Sequence, residues 1–176
     1  VRHGRFGSHT REDGNALVEF ALVLPFLLLV LIGMADLCVL LGNQLQMIHL
    51  SREAANVLSR GAAVQATFAA ITQADGALEL DGEFGRVILT KIALDPNGRP
   101  VIVEQHAIGS LDRTSRVGTL ESGQGTVPAN VPNGRRVPAH LSLVVVELFC
   151  ERTHLLGATR LAPGHGTIVL TSLAAF

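Results

Sequence analysis

Gly14-Asn15-Ala16-Leu17-Val18-Glu19-Phe20-Ala21-Leu22-Val23-Leu24-Pro25-Phe26-Leu27-Leu28-Leu29 is the stretch on which the reading of this chain turns. From Phe20 to Ala35 no side chain is charged, and the apolar segment from Ala16 to Gly42 is interrupted only by Glu19, Pro25 and Asp36. At about 1.5 Å per helical residue the segment is about 40 Å long, enough to cross a hydrocarbon core of about 30 Å with some tilt. Ahead of it stand Arg2, Arg5 and Arg11 with His3 and His9, against Glu12 and Asp13. This excess of cations predicts a cytoplasmic N-terminal side, with everything after Gly42 across the membrane.

A carboxylate in a membrane helix costs about 3 kcal/mol at the bilayer centre and less near an end, so Glu19 needs a partner. Cleavage after Gly14 would supply one. Asn15 would then carry a new α-amine, and Glu19 could pair with the amine of a neighbouring subunit. Glycine suits the cut position because a missing side chain lets a protease approach the backbone.

Gly14 followed by Glu19, with the hydrophobic run opening at Phe20, resembles the class III signal of type IV pilins and pseudopilins. The fuller string, with Val18, Glu19, Phe20, Ala21 and Pro25 all in place, is similar to the TadE/TadF pseudopilins, minor pilins of tight-adherence pilus systems. Ser51-Arg52-Glu53-Ala54-Ala55 resembles the strings found after the membrane helix in the same family. The resemblance implies insertion in the bacterial inner membrane and cleavage between Gly14 and Asn15 by a prepilin peptidase. It also implies work in pilus assembly with other pilins, pseudopilins and platform proteins, with Glu19 and Phe20 serving subunit assembly. It is specific over about residues 11–60 and looser at Val144-Val145-Val146-Glu147-Leu148-Phe149 and Thr171-Ser172-Leu173-Ala174-Ala175-Phe176. A plain signal anchor is one alternative. A secretory signal cut after Gly33-Met34-Ala35 is another, but helical patterning continues through that point.

The continuation shows in Met47, Leu50, Ala54, Val57, Gly61, Val64 and Phe68, which recur every three or four residues as one apolar stripe. Gln46, His49, Glu53, Asn56, Arg60 and Gln65 fall off it. The pattern predicts one amphipathic helix leaving the membrane and lying on a sheet. Arg52 and Glu53 are adjacent, so they read as two solvated charges rather than a pair.

Past residue 70 the pattern changes to strands and turns. Val87 to Leu94 and Val101 to His106 flank Asp95-Pro96-Asn97-Gly98-Arg99-Pro100, whose Pro and Asn-Gly supply the dihedrals of a hairpin loop. Leu141 to Phe149 reads as a central strand and Gly166 to Leu173 as a final one. Gly109 to Ala139 concentrates Gly, Pro, Ser, Thr and Arg without periodicity and reads as a long exposed loop.

The expected fold class is therefore α+β, a long N-terminal helix with a membrane half and an amphipathic half, packed on a small, mostly antiparallel sheet of three to five strands. The expected organisation is a basic leader over 1–14, a transmembrane helix over 15–42 containing Ala16, Pro25 and Asp36, an amphipathic helix over 43–68, and an extracytoplasmic head over 69–176. Asp36 marks the far interface, faces a neighbouring helix, or reaches water.

Among 176 residues there is a formal charge of −1 and no Tyr or Trp, which offers neither a basic face nor stacking platforms for nucleic acid. Cys38 lies in the membrane segment and Cys150 in the head, so a disulfide between them is excluded on geometry. Cys150 reads as a buried small hydrophobe. Cys150-x-x-x-His154 falls short of a zinc site, and His140, His154 and His165 are scattered. Gly123-Gln124-Gly125 and Gly164-His165-Gly166 are of the kind turns produce, and no nucleophile elbow, P-loop or metalloprotease helix occurs. We expect no catalytic residue, cofactor, metal or small-molecule substrate. The reading outside the pilin class is an uncleaved, membrane-anchored periplasmic binding or scaffold domain, for which Gly14 and Glu19 would be incidental.

Overall fold

The structure is a computed structural model that describes residues 10–120, 137, 142–153 and 167–176. A single helix, α1, runs Thr10–Ser59 with Pro25 inside it. Every residue from 15 to 32 is exposed, and Asp36 is the first to be buried. The lower part of α1 is thus a projecting stem and the upper part is a wall of the head.

Gly61 ends α1. Its φ of +89° is left-handed, its N–H bonds to the Leu58 carbonyl at 2.9 Å, and the Ala62 N–H reaches back to the Val57 carbonyl at 3.3 Å. This paired closure satisfies carbonyls that the helix leaves open. A second helix, α2 at Val64–Ala74, then turns down alongside α1. The single amphipathic helix expected through Phe68 is therefore two helices. The expected stripe holds for Met47, Leu50 and Ala54. It then departs, because Val57 is exposed while Ser51 and Ala55 are buried and Leu58 packs on the core. A contact face advancing every 3.6 residues runs through 54, 55 and 58, and extending it to Gly61 crosses the residue that stops the helix.

The head is a four-stranded antiparallel sheet of β1 (Gly85–Leu94), β2 (Pro100–Ile108), β3 (Leu143–Thr153) and β4 (Thr167–Ala175), in the order β2-β1-β3-β4. The expected hairpin is present, with Asp95 closing its turn by accepting from the backbone N–H groups of Asn97 at 2.9 Å and Arg99 at 2.7 Å. The expected central and final strands are β3 and β4. On the inner face Val87, Leu89, Val144, Val146, Leu148, Cys150 and Ala174 pack against Met47, Leu50, Ala54 and Ala55 of α1 and Ile71 of α2.

The outer face is covered as well. Segment 109–139 reads as an exposed loop, yet its part at 109–120 lies on the sheet, with Leu111 packed on Ile88 and Phe149 and with Val117 in a cluster with Ile92, Ile102 and Val145. These two apolar anchors are too widely spaced to show a period. Residues 121–136, 138 and 139 of that segment lie outside the described residues.

Candidate functional site

The stem carries most of the residues singled out from sequence. Gly14 stands inside α1, so helix runs through the expected processing position. Beside it, Asn15 Nδ2 donates across one turn to Glu19 Oε1 at 3.2 Å, and both side chains are exposed. Phe20, Leu22, Val23, Phe26 and Leu27 are all half or more exposed. An apolar surface of this extent on the projecting part of a helix demands either lipid or other helices around it. The helix is long and apolar enough to cross a membrane. Pro25 leaves the helix unbroken, as prolines in membrane helices commonly do.

Asp36 is buried within the single chain where the head begins, a placement that does not select among the three settings expected of it. Above it, polar side chains of α1 tie stem to head. Gln44 Nε2 donates to the Thr171 carbonyl at 3.0 Å. Gln46 Nε2 donates to the Asp75 carbonyl at 3.0 Å, at the end of α2. Ser51 Oγ and Ser172 Oγ share a buried bond of 2.8 Å. Ser51 Oγ can also donate to the Ile48 carbonyl at 3.1 Å, and either hydroxyl can be the donor of the shared bond. Arg52 and Glu53 are exposed and no bond joins them, in keeping with two solvated charges.

The least expected feature of the head is a buried carboxylate. Glu147, in the middle of β3, is 1% exposed. It accepts from Ser115 Oγ and from the Arg116 backbone N–H at 2.9 Å. Gln105 of β2 makes the companion clamp, donating to the Gly118 carbonyl at 2.9 Å and accepting from Leu120 N at 3.0 Å. Together they hold 115–120 on the outer face. An isolated Glu in a valine-rich strand signals a buried polar anchor, but the partners lie about thirty residues away and have no motif of their own.

Cys150 is fully buried and its thiol donates to the Leu78 carbonyl at 3.4 Å. Burial pushes this thiol above its ordinary pKa, against the lowering charge and hydrogen bond of Arg152, while Asp75 and Glu79 add to the rise. Both cysteines are free of disulfides. His140, His154 and His165 lie outside the described residues, as do Gly123-Gln124-Gly125 and Gly164-His165-Gly166, so Cys150 has no described histidine beside it. Among the described residues no group of three or more His, Cys, Asp or Glu could hold a metal ion. At the end of the head away from the stem is a cavity of about 190 Å³ beside the Gly61 turn, floored by Leu58, Leu89 and Val144. On its wall Glu104 and His106 pair at 2.8 Å, both exposed by more than 40%. Among the described residues no nucleophile with a base and an oxyanion donor is assembled there.

Residues 14–56 match the family model of TadE-like proteins, a family related to the pseudopilins of Tad pili. The match opens at Gly14 and covers the stem and most of the helical wall of the head. No curated relative and no solved structure matches the chain.

Proposed function

We propose that this TadE-like chain works as a minor pilin or pseudopilin in the biogenesis of a tight-adherence pilus, after cleavage between Gly14 and Asn15 by a prepilin peptidase. The observation that carries the reading is the family match itself, which opens at Gly14 and runs over the helix whose apolar stem projects from the head. In this reading α1 crosses the inner membrane once, with its N-terminal side cytoplasmic and the head periplasmic. The stem then packs among those of other pilins and pseudopilins and meets the platform proteins. The chain acts by assembly rather than by catalysis.

Cleavage gives the reading its chemistry. The new α-amine at Asn15 is a full positive charge, a stronger partner for Glu19 than the neutral Asn15 carboxamide. Partners for a carboxylate are worth most where lipid excludes water, so an amine from a neighbouring stem would set the axial register between subunits. The test is mass spectrometry of the N-terminus after co-expression with a prepilin peptidase, for wild type and Gly14→Val. The expected result is a terminus at Asn15 in wild type and none in the variant. An intact terminus in both would demote the chain to a membrane-anchored domain, and a terminus at Asp36 would make it a secreted one.

A further inference from the structure

We propose that the rim of the head nearest the stem, carrying Phe84 and Ile168, seats on the surface of a zwitterionic lipid bilayer. The inference rests on reading α1 as a membrane span and adds a second contact between chain and membrane.

The direction of the strands identifies the rim. Leu58, near the top of α1, lines one cavity with Val144 and Leu89, while Gln44, lower down, bonds to Thr171, which pairs with Phe149. β3 therefore descends toward the stem and β4 rises from it. Three residues of strand from Thr171 down to Ile168 are about 10 Å. Seven residues of helix from Gln44 down to Leu37 are also about 10 Å. Ile168 thus stands near the level of Leu37. Phe84 is close by, because its carbonyl accepts from Glu151 N at 2.7 Å and Glu151 pairs with Val169, the neighbour of Ile168.

The membrane boundary falls at the same level. A hydrocarbon core of about 30 Å takes about 20 helical residues, which counted from Ala16 ends at Ala35 and Asp36. The headgroup layer adds about 5–7 Å on that side. Ile168 is then at the edge of the hydrocarbon and Phe84 within the headgroups. Phe84 is 54% exposed and Ile168 39%, on opposite faces of the sheet, and Leu37 and Leu41 of the stem are exposed near the same level. Among the described residues Phe84 is an exposed aromatic side chain at that level. Glu79, Asp81 and Glu83 are exposed around it. Their charge fits zwitterionic headgroups, with their ammonium groups, and opposes an anionic leaflet.

The absence of tryptophan makes the test direct. Single-tryptophan variants of the full chain, Phe26→Trp in the stem, Phe84→Trp at the rim and Asn97→Trp in the distal hairpin, are reconstituted in phosphatidylcholine vesicles. The lipids are brominated either near the headgroup or near the chain end. The expected result for Phe84→Trp is a loss of fluorescence of about twofold or more with bromine near the headgroup, little with bromine at the chain end, and none for Asn97→Trp. Replacing half the lipid with an anionic phosphatidylglycerol analogue should weaken the rim quenching. Quenching of Phe26→Trp alone, with Phe84→Trp and the companion Ile168→Trp both behaving like Asn97→Trp, would overturn the rim contact and leave the membrane span standing. No quenching at Phe26→Trp would overturn both. Rim quenching that strengthens with anionic lipid would overturn the assignment to a zwitterionic surface.

Discussion

Asn15 Nδ2 donates to Glu19 Oε1 at 3.2 Å across one turn of α1, so in the single chain the stem's carboxylate already has a neutral partner. An exposed pair of this kind is worth a few tenths of a kcal/mol, far less than an amine offers in lipid. Glu19 is therefore held in place without being taken.

Glu19→Gln should leave cleavage after Gly14 intact and impair assembly. The N-terminus still appears at Asn15, while cross-linking between copies or to other pilins falls by roughly tenfold or more. Equal cross-linking in variant and wild type would remove Glu19 from assembly.

Glu147→Ala should cost about 3 kcal/mol, since it strips an acceptor from Ser115 and from the Arg116 N–H in a buried setting. Urea unfolding of the detergent-solubilised chain measures the loss. Hydrogen exchange should show amides of 115–120 opening before those of β1.

Ser51 and Ser172 are coupled across the interface of α1 and β4. A double-mutant cycle with Ser51→Ala and Ser172→Ala should return a coupling of about 1 kcal/mol. A coupling near zero would show that helix and sheet are held by apolar packing alone at that point.

Two glycines with nearly equal φ should respond unequally to alanine. At Gly61, φ +89°, a Cβ meets nothing, so Gly61→Ala should cost about 1 kcal/mol for the left-handed backbone alone. At Gly109, φ +88°, a Cβ would collide with the carbonyl oxygens of Gly85 and Leu80, so Gly109→Ala should cost at least about 2 kcal/mol. Matched thermal unfolding of the two variants distinguishes strain from collision.

Cys150 should make the head sensitive to alkali. Its folded pKa is raised by burial, so the unfolded chain loses the thiol proton first, near pH 8.5. The stability it contributes is whole below that pH and is lost as pH rises through the folded value. Cys150→Ala should flatten the alkaline fall of the urea midpoint, and an unchanged slope would assign that fall to other groups.

The stem was legible because its signals are local. A charge-free run, one carboxylate at a defined distance from one glycine, and a cationic flank need no knowledge of distant residues. The hairpin was legible for the same reason, since Asp95 to Pro100 supplies its own turn chemistry. The helix face was legible only through Ala54, and Gly61 showed as a stripe member rather than a stop, because a glycine's φ depends on where the chain must go next.

Hydrophobic periodicity and charge were enough to settle a long apolar helix joined to a β-rich head, because burial in lipid or against a sheet selects those patterns residue by residue. Tertiary structure alone decided that α1 ends at Gly61 and that the loop 109–120 lies against the sheet rather than standing exposed. It also decided that Glu147, Ser51 and Ser172 are buried, and that Phe84 and Ile168 share the rim beside the stem. Each of these depends on groups that meet across long separations in sequence. A buried polar atom is stable only where a distant partner satisfies it, and that partner is chosen by the packing.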